Sequence, residues 1–287
     1  MRVLLLLIAA LSAGGVYAAE SDSAGPAPAS SKPRYAYPHA ERVIASPITD
    51  RFAMRGTFFP ATVHTQVHLD SKQDVPGTAV NAEQDLGLRE HLDQGRIELI
   101  FRLLDRHRLR VDYFGSDRDG DRPLNRSILF GGNTYMIGDL VQSDLQCSML
   151  GFTYTYSFIR TQHFEVGAGL GLHLLQADAK ALDVTLQEKA ETSGAGVFPT
   201  PAIDATWAIS QRFAWTARAQ YLSIDVNKVS AALGDYHTDL QYRWARNFQI
   251  GVGYESIHAA LDDLHSGQPA GFVLNVKGPE AFLRVSF

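Results

Sequence analysis

Residues 280–287 read EAFLRVSF, and their reading decides the fold. Ala281, Leu283, Val285 and Phe287 point one way, while Glu280, Arg284 and Ser286 point the other. That is a β-strand with one apolar face. A bare aromatic at the fraying end of a soluble domain gains little. The apolar face therefore needs a cover, and the rest of the sequence makes lipid the expected one.

The opening residues, MRVLLLLIAALSAGGVYAAE, predict an exported chain. Arg2 supplies a short positive region, Val3 to Leu11 an apolar one, and Val16-Tyr17-Ala18 a small-residue cleavage site. The apolar run is shorter than the roughly 20 residues that a spanning helix needs, so residues 1–18 are expected to be a signal peptide cleaved after Ala18. No later run is long and apolar enough for a spanning helix. Cys147 is the one cysteine, which excludes an intramolecular disulfide and a multi-cysteine zinc site. With Arg2 removed, 25 basic residues stand against 31 acidic ones. Nucleic acid, which rewards clustered Lys and Arg, is not an expected partner. Residues 19–50, rich in Ala, Ser and Pro, are expected to be a flexible N-terminal segment.

From residue 51 onward the alternation has period two. In the stretch from Gly56 to Asp70, Phe59, Ala61, Val63, Val67 and Leu69 share one face, opposed by Thr62, His64, Gln66 and His68. Leu150, Phe152, Tyr154, Tyr156 and Phe158 oppose only glycine, threonine and serine. Ten such strands are expected, with eight or twelve as alternatives. Short connections near 105–107, 160–162, 210–212 and 246–247 alternate with long ones at about 70–94, 116–144, 176–198, 227–236 and 260–271. Strict short and long alternation predicts an all-β, antiparallel, up-and-down transmembrane β-barrel over 51–287. Trp207, Trp215 and Trp244 flank short turns, joined outward by Phe158, Phe164, Phe213, Tyr242 and Phe248. Amphipathic rings at one level form an interfacial girdle, whereas a sandwich keeps its largest rings mid-strand.

The final strand also resembles the C-terminal strand of bacterial outer-membrane proteins, which commonly ends in Phe. That resemblance implies that Phe287 belongs to a signal read by the barrel-assembly machinery. It implies the outer membrane of a Gram-negative bacterium, with outer-membrane lipid and lipopolysaccharide as partners.

The inward faces carry Arg96, Arg102, Arg110, Arg218, Arg243 and Arg284 against Glu98, Asp112, Glu165, Asp204, Asp239, Glu255 and Glu280. A narrow barrel is filled by its own side chains, and buried charges need partners. These residues are therefore expected to pair across strands and leave no wide pore.

Four features invite a catalytic or metal reading. His237 and Asp239 share one inward face, expected near the mouth; the omptin proteases, also ten-stranded, use a His/Asp pair with further acids at their rim. His64 and His68 are expected to face inward, with no third metal ligand. Ser157 and His173 are a serine and a histidine of the wall, yet no spacing makes them a nucleophile–base pair. Asp117 to Asp121 (DRDGD) resembles the start of a calcium loop, but Ile128 stands where the bidentate Glu belongs. No catalytic, cofactor or metal residue is assigned from these.

PGTAVNAEQDLGL (Pro76 to Leu88), then RLLDRHRLRVDYF and LFGGNTYMIGD, resemble a group of uncharacterised proteobacterial outer-membrane barrels, small OmpA/OmpX-like barrels in the broad sense. The resemblance implies fold and location and no activity. Gly87 and its neighbouring acids suit a turn back to the second strand. NRSILFGGNTYMIG is compatible with an extra hairpin above the membrane. The expected function is structural or surface-binding, through long extracellular loops. A small-solute channel is the alternative, and a barrel hydrolase acting on lipid or peptide the second.

Overall fold

A computed structural model describes residues 46–70, 77–130, 133–183, 189–226, 229–263 and 270–287. The expected signal peptide, and 19–45 of the expected flexible segment, lie outside the described residues. The strands are β1 (Phe52–Leu69), β2 (Val80–Asn81), β3 (His91–Leu104), β4 (His107–Pro123), β5 (Ile128–Phe130), β6 (Asn133–Tyr135), β7 (Leu140–Arg160), β8 (Phe164–Asp183), β9 (Lys189–Ala208), β10 (Phe213–Val226), β11 (Val229–Arg243), β12 (Phe248–Asp263) and β13 (Ala270–Ser286).

Ten of these, β1, β3, β4 and β7 to β13, pair antiparallel in chain order, and β13 returns to β1 to close a barrel. Closure leaves the sheet no outer edges. The strand count is thus ten, and the expected extra hairpin is β5–β6, outside the wall. Four tight turns lie at one end. At the other, the expected long loops are mostly strand: β4 runs on to Pro123, β8 to Asp183, and β9 begins at Lys189.

The reason is a change in what surrounds the wall. β7 has 21 residues; at ~3.3 Å per residue and ~40° tilt it stands about 50 Å tall, roughly twice the ~25 Å apolar band of a membrane barrel. On the short-turn half, outward residues are apolar: Met54, Phe58, Ile97, Tyr113, Phe152, Leu170, Ile203, Ile250 and Leu283 are all exposed. On the long-loop half the inward residues are apolar instead, namely Phe59, Val63, Phe114, Leu145, Met149, Leu175, Phe198, Leu233, Ile257 and Leu274. Across this step period two does not break, but the apolar phase flips sides where lipid would give way to water. Adjacent apolar pairs mark the flip: Phe58 is 53% exposed and Phe59 0%, Tyr113 51% and Phe114 1%.

This corrects the first strand. Phe59, Ala61 and Val63 face inward and are buried, while His64 and Gln66 face out. The upper half of β1 packs a water-soluble kind of core, so its apolar side is the inner one. The girdle is as expected, with Trp207, Trp244, Phe158, Phe164, Phe213 and Phe248 exposed beside the tight turns.

Two ladders stop early. β3 pairs with β4 only up to Gly95–Gly115, and β9 with β10 only up to Ala202–Gln220. Pro199 and Pro201 come next on β9; two residues apart, both lack the N–H that a ladder needs on one side.

In the closing wall, Phe282 points inward rather than to lipid and fills the space that Gly251 leaves. A Cβ on Gly251 would lie 2.3 Å from that ring and 2.7 Å from the Leu240 carbonyl oxygen. Gly251→Val is expected to cut the fraction of chains that refold into the heat-modifiable form, read by boiled against unboiled gel mobility. Adding Phe282→Ala should recover only part of it, because the carbonyl contact remains.

Candidate functional site

The tight-turn end is stoppered by residues 46–50. Thr49 and Asp50 N–H groups donate to the Ser46 carbonyl, closing a turn that buries Ile48 to 1% exposure. These five residues were expected in the flexible segment. They are ordered because Asp50 accepts from Arg243 at 2.7 Å and Arg284 at 3.4 Å, and the Ile48 carbonyl accepts from Arg160.

Above the stopper the lumen is a network of ion pairs. Arg55 donates to Asp239 at 2.9 Å and to Glu280 at 2.6 Å, and its guanidinium lies 3.6 Å from the Phe282 ring centroid. Arg96 reaches Asp112 at 2.6 Å, Asp235 at 2.8 Å, and Glu255. Arg102 grips Glu165 through both oxygens, Arg108 takes Asp204, and Arg218 lies 2.6 Å from Glu98. The inward charges expected from the sequence lie here, buried except for the partly buried Arg218, and all but Arg110 find a direct partner. Three members escaped it: Arg55 and Arg108, which the alternation reading did not place, and Asp235, which fell in an expected loop.

His237 and Asp239 are not near the mouth. They sit within the tight-turn half of β11, 5% and 2% exposed, with His237 Nε2 2.7 Å from Asp239 Oδ2 and 3.3 Å from Glu280 Oε1. The apolar layer above shields them from the mouth. His237, Glu255 and Glu280 offer ligand atoms within 4.8 Å of one another, yet Arg55 and Arg96 already occupy the two carboxylates. This geometry suits guanidinium, not a metal ion.

The other candidates separate too. Ser157 donates to Glu165, whereas His173 lies 3.4 Å from Thr200, so the wall serine and histidine are not brought together. His64 is half exposed on the outer face, 3.6 Å from Glu90. The expected inward pair His64/His68 fails because the phase flip turns that polar face to water. Asp117, Asp119 and Asp121 lie on the exposed outer face of β4, within a strand and not a loop, and Asp119 meets Arg89 at 3.4 Å.

Over the charge network lies the apolar core, in which Phe59 and Phe114 rings meet at 6.1 Å. A folded cap closes the long-loop end. Asn81 Oδ1 accepts the N–H groups of Glu83 and Gln84, and Gly87 takes the φ of 74° that the turn requires. This bears out the turn expected at Gly87. Glu83 enters the barrel and accepts from the Thr65 N–H at 2.9 Å and from Arg118 at 2.6 Å. Leu69, Val80, Leu124, Ile128, Phe130, Tyr135 and Val141 pack as a second apolar layer that the β5–β6 hairpin covers. The cavity left beneath this lid is about 40 Å³, room for a few waters at most.

Asp85 ties the cap together. It accepts from Arg126 at 2.7 and 3.0 Å and from the Asn81 N–H at 2.8 Å. Burial alone would raise its carboxyl; the Arg126 hydrogen bonds, the backbone bond and the Arg126 charge outweigh that and hold it below the usual range.

No family model matches the chain, and no curated protein matches it. Among solved structures it is similar to the outer-membrane protease OmpT of Escherichia coli, with TM-score 0.54 and 9% identity over 83% of this chain and 97% of that one. The fold is that of an outer-membrane β-barrel. Lower scores relate it to Ail of Yersinia pestis (TM-score 0.33, 10% identity, 80% of this chain and 99% of that one) and to the toluene transporter TodX of Pseudomonas putida (0.36, 8%, 85% and 92%). At such identities the likeness is one of fold.

Two outcomes follow from this geometry. Arg96→Met strands Asp112, Asp235 and Glu255 in a dry lumen, and should lower unfolding stability by about 3–5 kcal/mol, read by urea titration of the refolded barrel. The cap should respond to acid. A depressed carboxyl gives stability that is present above its unfolded value, about 3.9, and lost as pH falls through the lower folded value. Pepsin should therefore nick residues 77–90 faster at pH ~2 than at pH ~4. Asp85→Asn should lose that pH difference, each rate being taken relative to an unfolded substrate at the same pH.

Proposed function

We propose that this chain is an integral outer-membrane barrel that does not conduct and that acts through the surface of its long-loop end. The apolar band and aromatic girdle support the membrane setting; the tight turns then face the periplasm and the cap faces outward. The observation that carries the reading is the filled lumen: stopper, charge network, apolar core and cap lie in series. A water path would have to break several buried ion pairs at once, each costly to leave half-made.

The chemistry left to the molecule is on its outer surface. The upper wall carries polar residues such as His64, Gln66, Asp93, Asp117 and Gln146, on strands that outrun the band. That surface meets lipopolysaccharide near its base and an external ligand or neighbouring surface at its tip. In assembly, the strand ending at Phe287 is the segment offered to the barrel-assembly machinery. The channel reading lacks an open lumen, and the hydrolase reading lacks an accessible nucleophile–base pair among the described residues.

In planar bilayers the refolded protein is expected to give no stable single-channel steps. Reproducible unitary conductance from heat-modifiable protein would overturn the non-conducting reading and leave the barrel intact.

A further inference from the structure

A cavity of about 50 Å³ lies in the tight-turn half of the lumen, directly over the stopper residues Pro47 and Asp50. Six arginines line it, Arg55, Arg102, Arg108, Arg110, Arg218 and Arg284, against only three carboxylates, Asp50, Glu98 and Asp204. Those carboxylates are already engaged. Glu98 lies 2.6 Å from Arg218 and 3.5 Å from Arg55, Asp204 is taken by Arg108, and Asp50 serves Arg243 and Arg284.

Arg110 is the cation with no direct partner. It is 5% exposed, and among the described residues no hydrogen bond or ion pair reaches it. The register explains why: its cross-strand neighbours are Ile100 on β3 and Thr153 on β7, neither of which carries charge. The Nε atoms of Arg108, Arg110, Arg218 and Arg284 are all buried without a hydrogen-bond partner. A guanidinium does not deprotonate in a protein, and its N–H groups buried behind a lipid-facing wall without an acceptor are strongly unfavourable.

We propose that this cavity binds one small inorganic anion, a halide or an oxyanion of phosphate's size, as the acceptor for the unpaired guanidinium of Arg110. The volume holds a few waters or one such ion, and guanidinium N–H groups suit either. The anion completes the lumen as a structural ligand. The inference goes beyond the surface reading above and does not depend on it.

The test compares thermal unfolding midpoints of the refolded full chain in chloride, phosphate and gluconate at matched ionic strength. A ligand bound only by the folded state raises the midpoint as its concentration rises. The expected result is a midpoint that climbs with chloride or phosphate and stays flat in gluconate, which is too large to enter. Which salt acts identifies the ion. Arg110→Met should abolish the dependence and match or exceed the wild type in gluconate, while Arg110→Lys should keep it. Equal midpoints in all three salts, or an unchanged dependence in Arg110→Met, would overturn the proposal. Should Arg110→Met fail to refold, wild-type crystals grown in bromide decide. An anomalous peak between Arg110 and Arg218 supports the site, and only water density there overturns it.

Discussion

A charged side chain inside a lipid-walled tube can find its counter-charge only inside the same tube, and the lower half of this barrel is organised by that constraint. Opposite charges must arrive at one level from strands far apart in sequence. Arg55 on β1 meets Asp239 on β11 and Glu280 on β13; Arg96 on β3 meets Asp112 on β4, Asp235 on β11 and Glu255 on β12. Apart from Arg96–Asp112 within the β3–β4 hairpin, these contacts cross the lumen or the closing seam, so they form only once the wall has closed in the correct register. A one-residue slip of any of these strands would turn its share of the charges toward lipid. The network thereby rewards one register over its neighbours, whatever its net contribution to stability.

The upper half obeys the opposite rule for the same reason. There the outside is polar and the inside is packed like a soluble core, with an aromatic pair and interdigitated aliphatic side chains. One wall thus crosses two solvents, and several strands report the crossing as two adjacent apolar residues. Phe58-Phe59, Tyr113-Phe114, Met149-Leu150, Leu174-Leu175 and Tyr221-Leu222 all sit at this step. The step also positions the cap, because only an apolar rim could receive Val80, Leu88 and the β5–β6 hairpin.

Much of this was legible in the residues. Closure, strand number, the girdle and most of the inward charges follow from period two and from the turn lengths. The errors share one cause. A single polarity of alternation from end to end assigns Phe59, Ala61 and Val63 to lipid, His64 and His68 to the lumen, and the strand extensions to loops. Keeping the period while letting the phase flip recovers them: in residues 170–181, Leu170, Leu172 and Leu174 are even-numbered, and Leu175, Ala177, Ala179 and Ala181 are odd. The depth of His237 was illegible for a different reason. Position along a strand is set by where the tight turn lies and by how far the strand outruns the membrane, and the second quantity was hidden in the misread loops. Which arginine lacks a partner depends on pairing across the lumen, which no local pattern encodes.

A filled lumen also changes what the outer end can be. Loops over an open pore stay mobile and lose entropy when they bind. Here the cap is tied down in advance: Glu83 to Arg118 and the Thr65 N–H, Asp85 to Arg126, and an apolar underside packed on Leu69 and Val141. Its ordering is part of folding, so a partner that docks on it meets a surface already shaped, and less of the contact energy is lost to immobilisation. The lower lumen makes this possible. Rigidity at the top needs a wall that does not breathe, and the cross-lumen ion pairs hold opposite sides of that wall together.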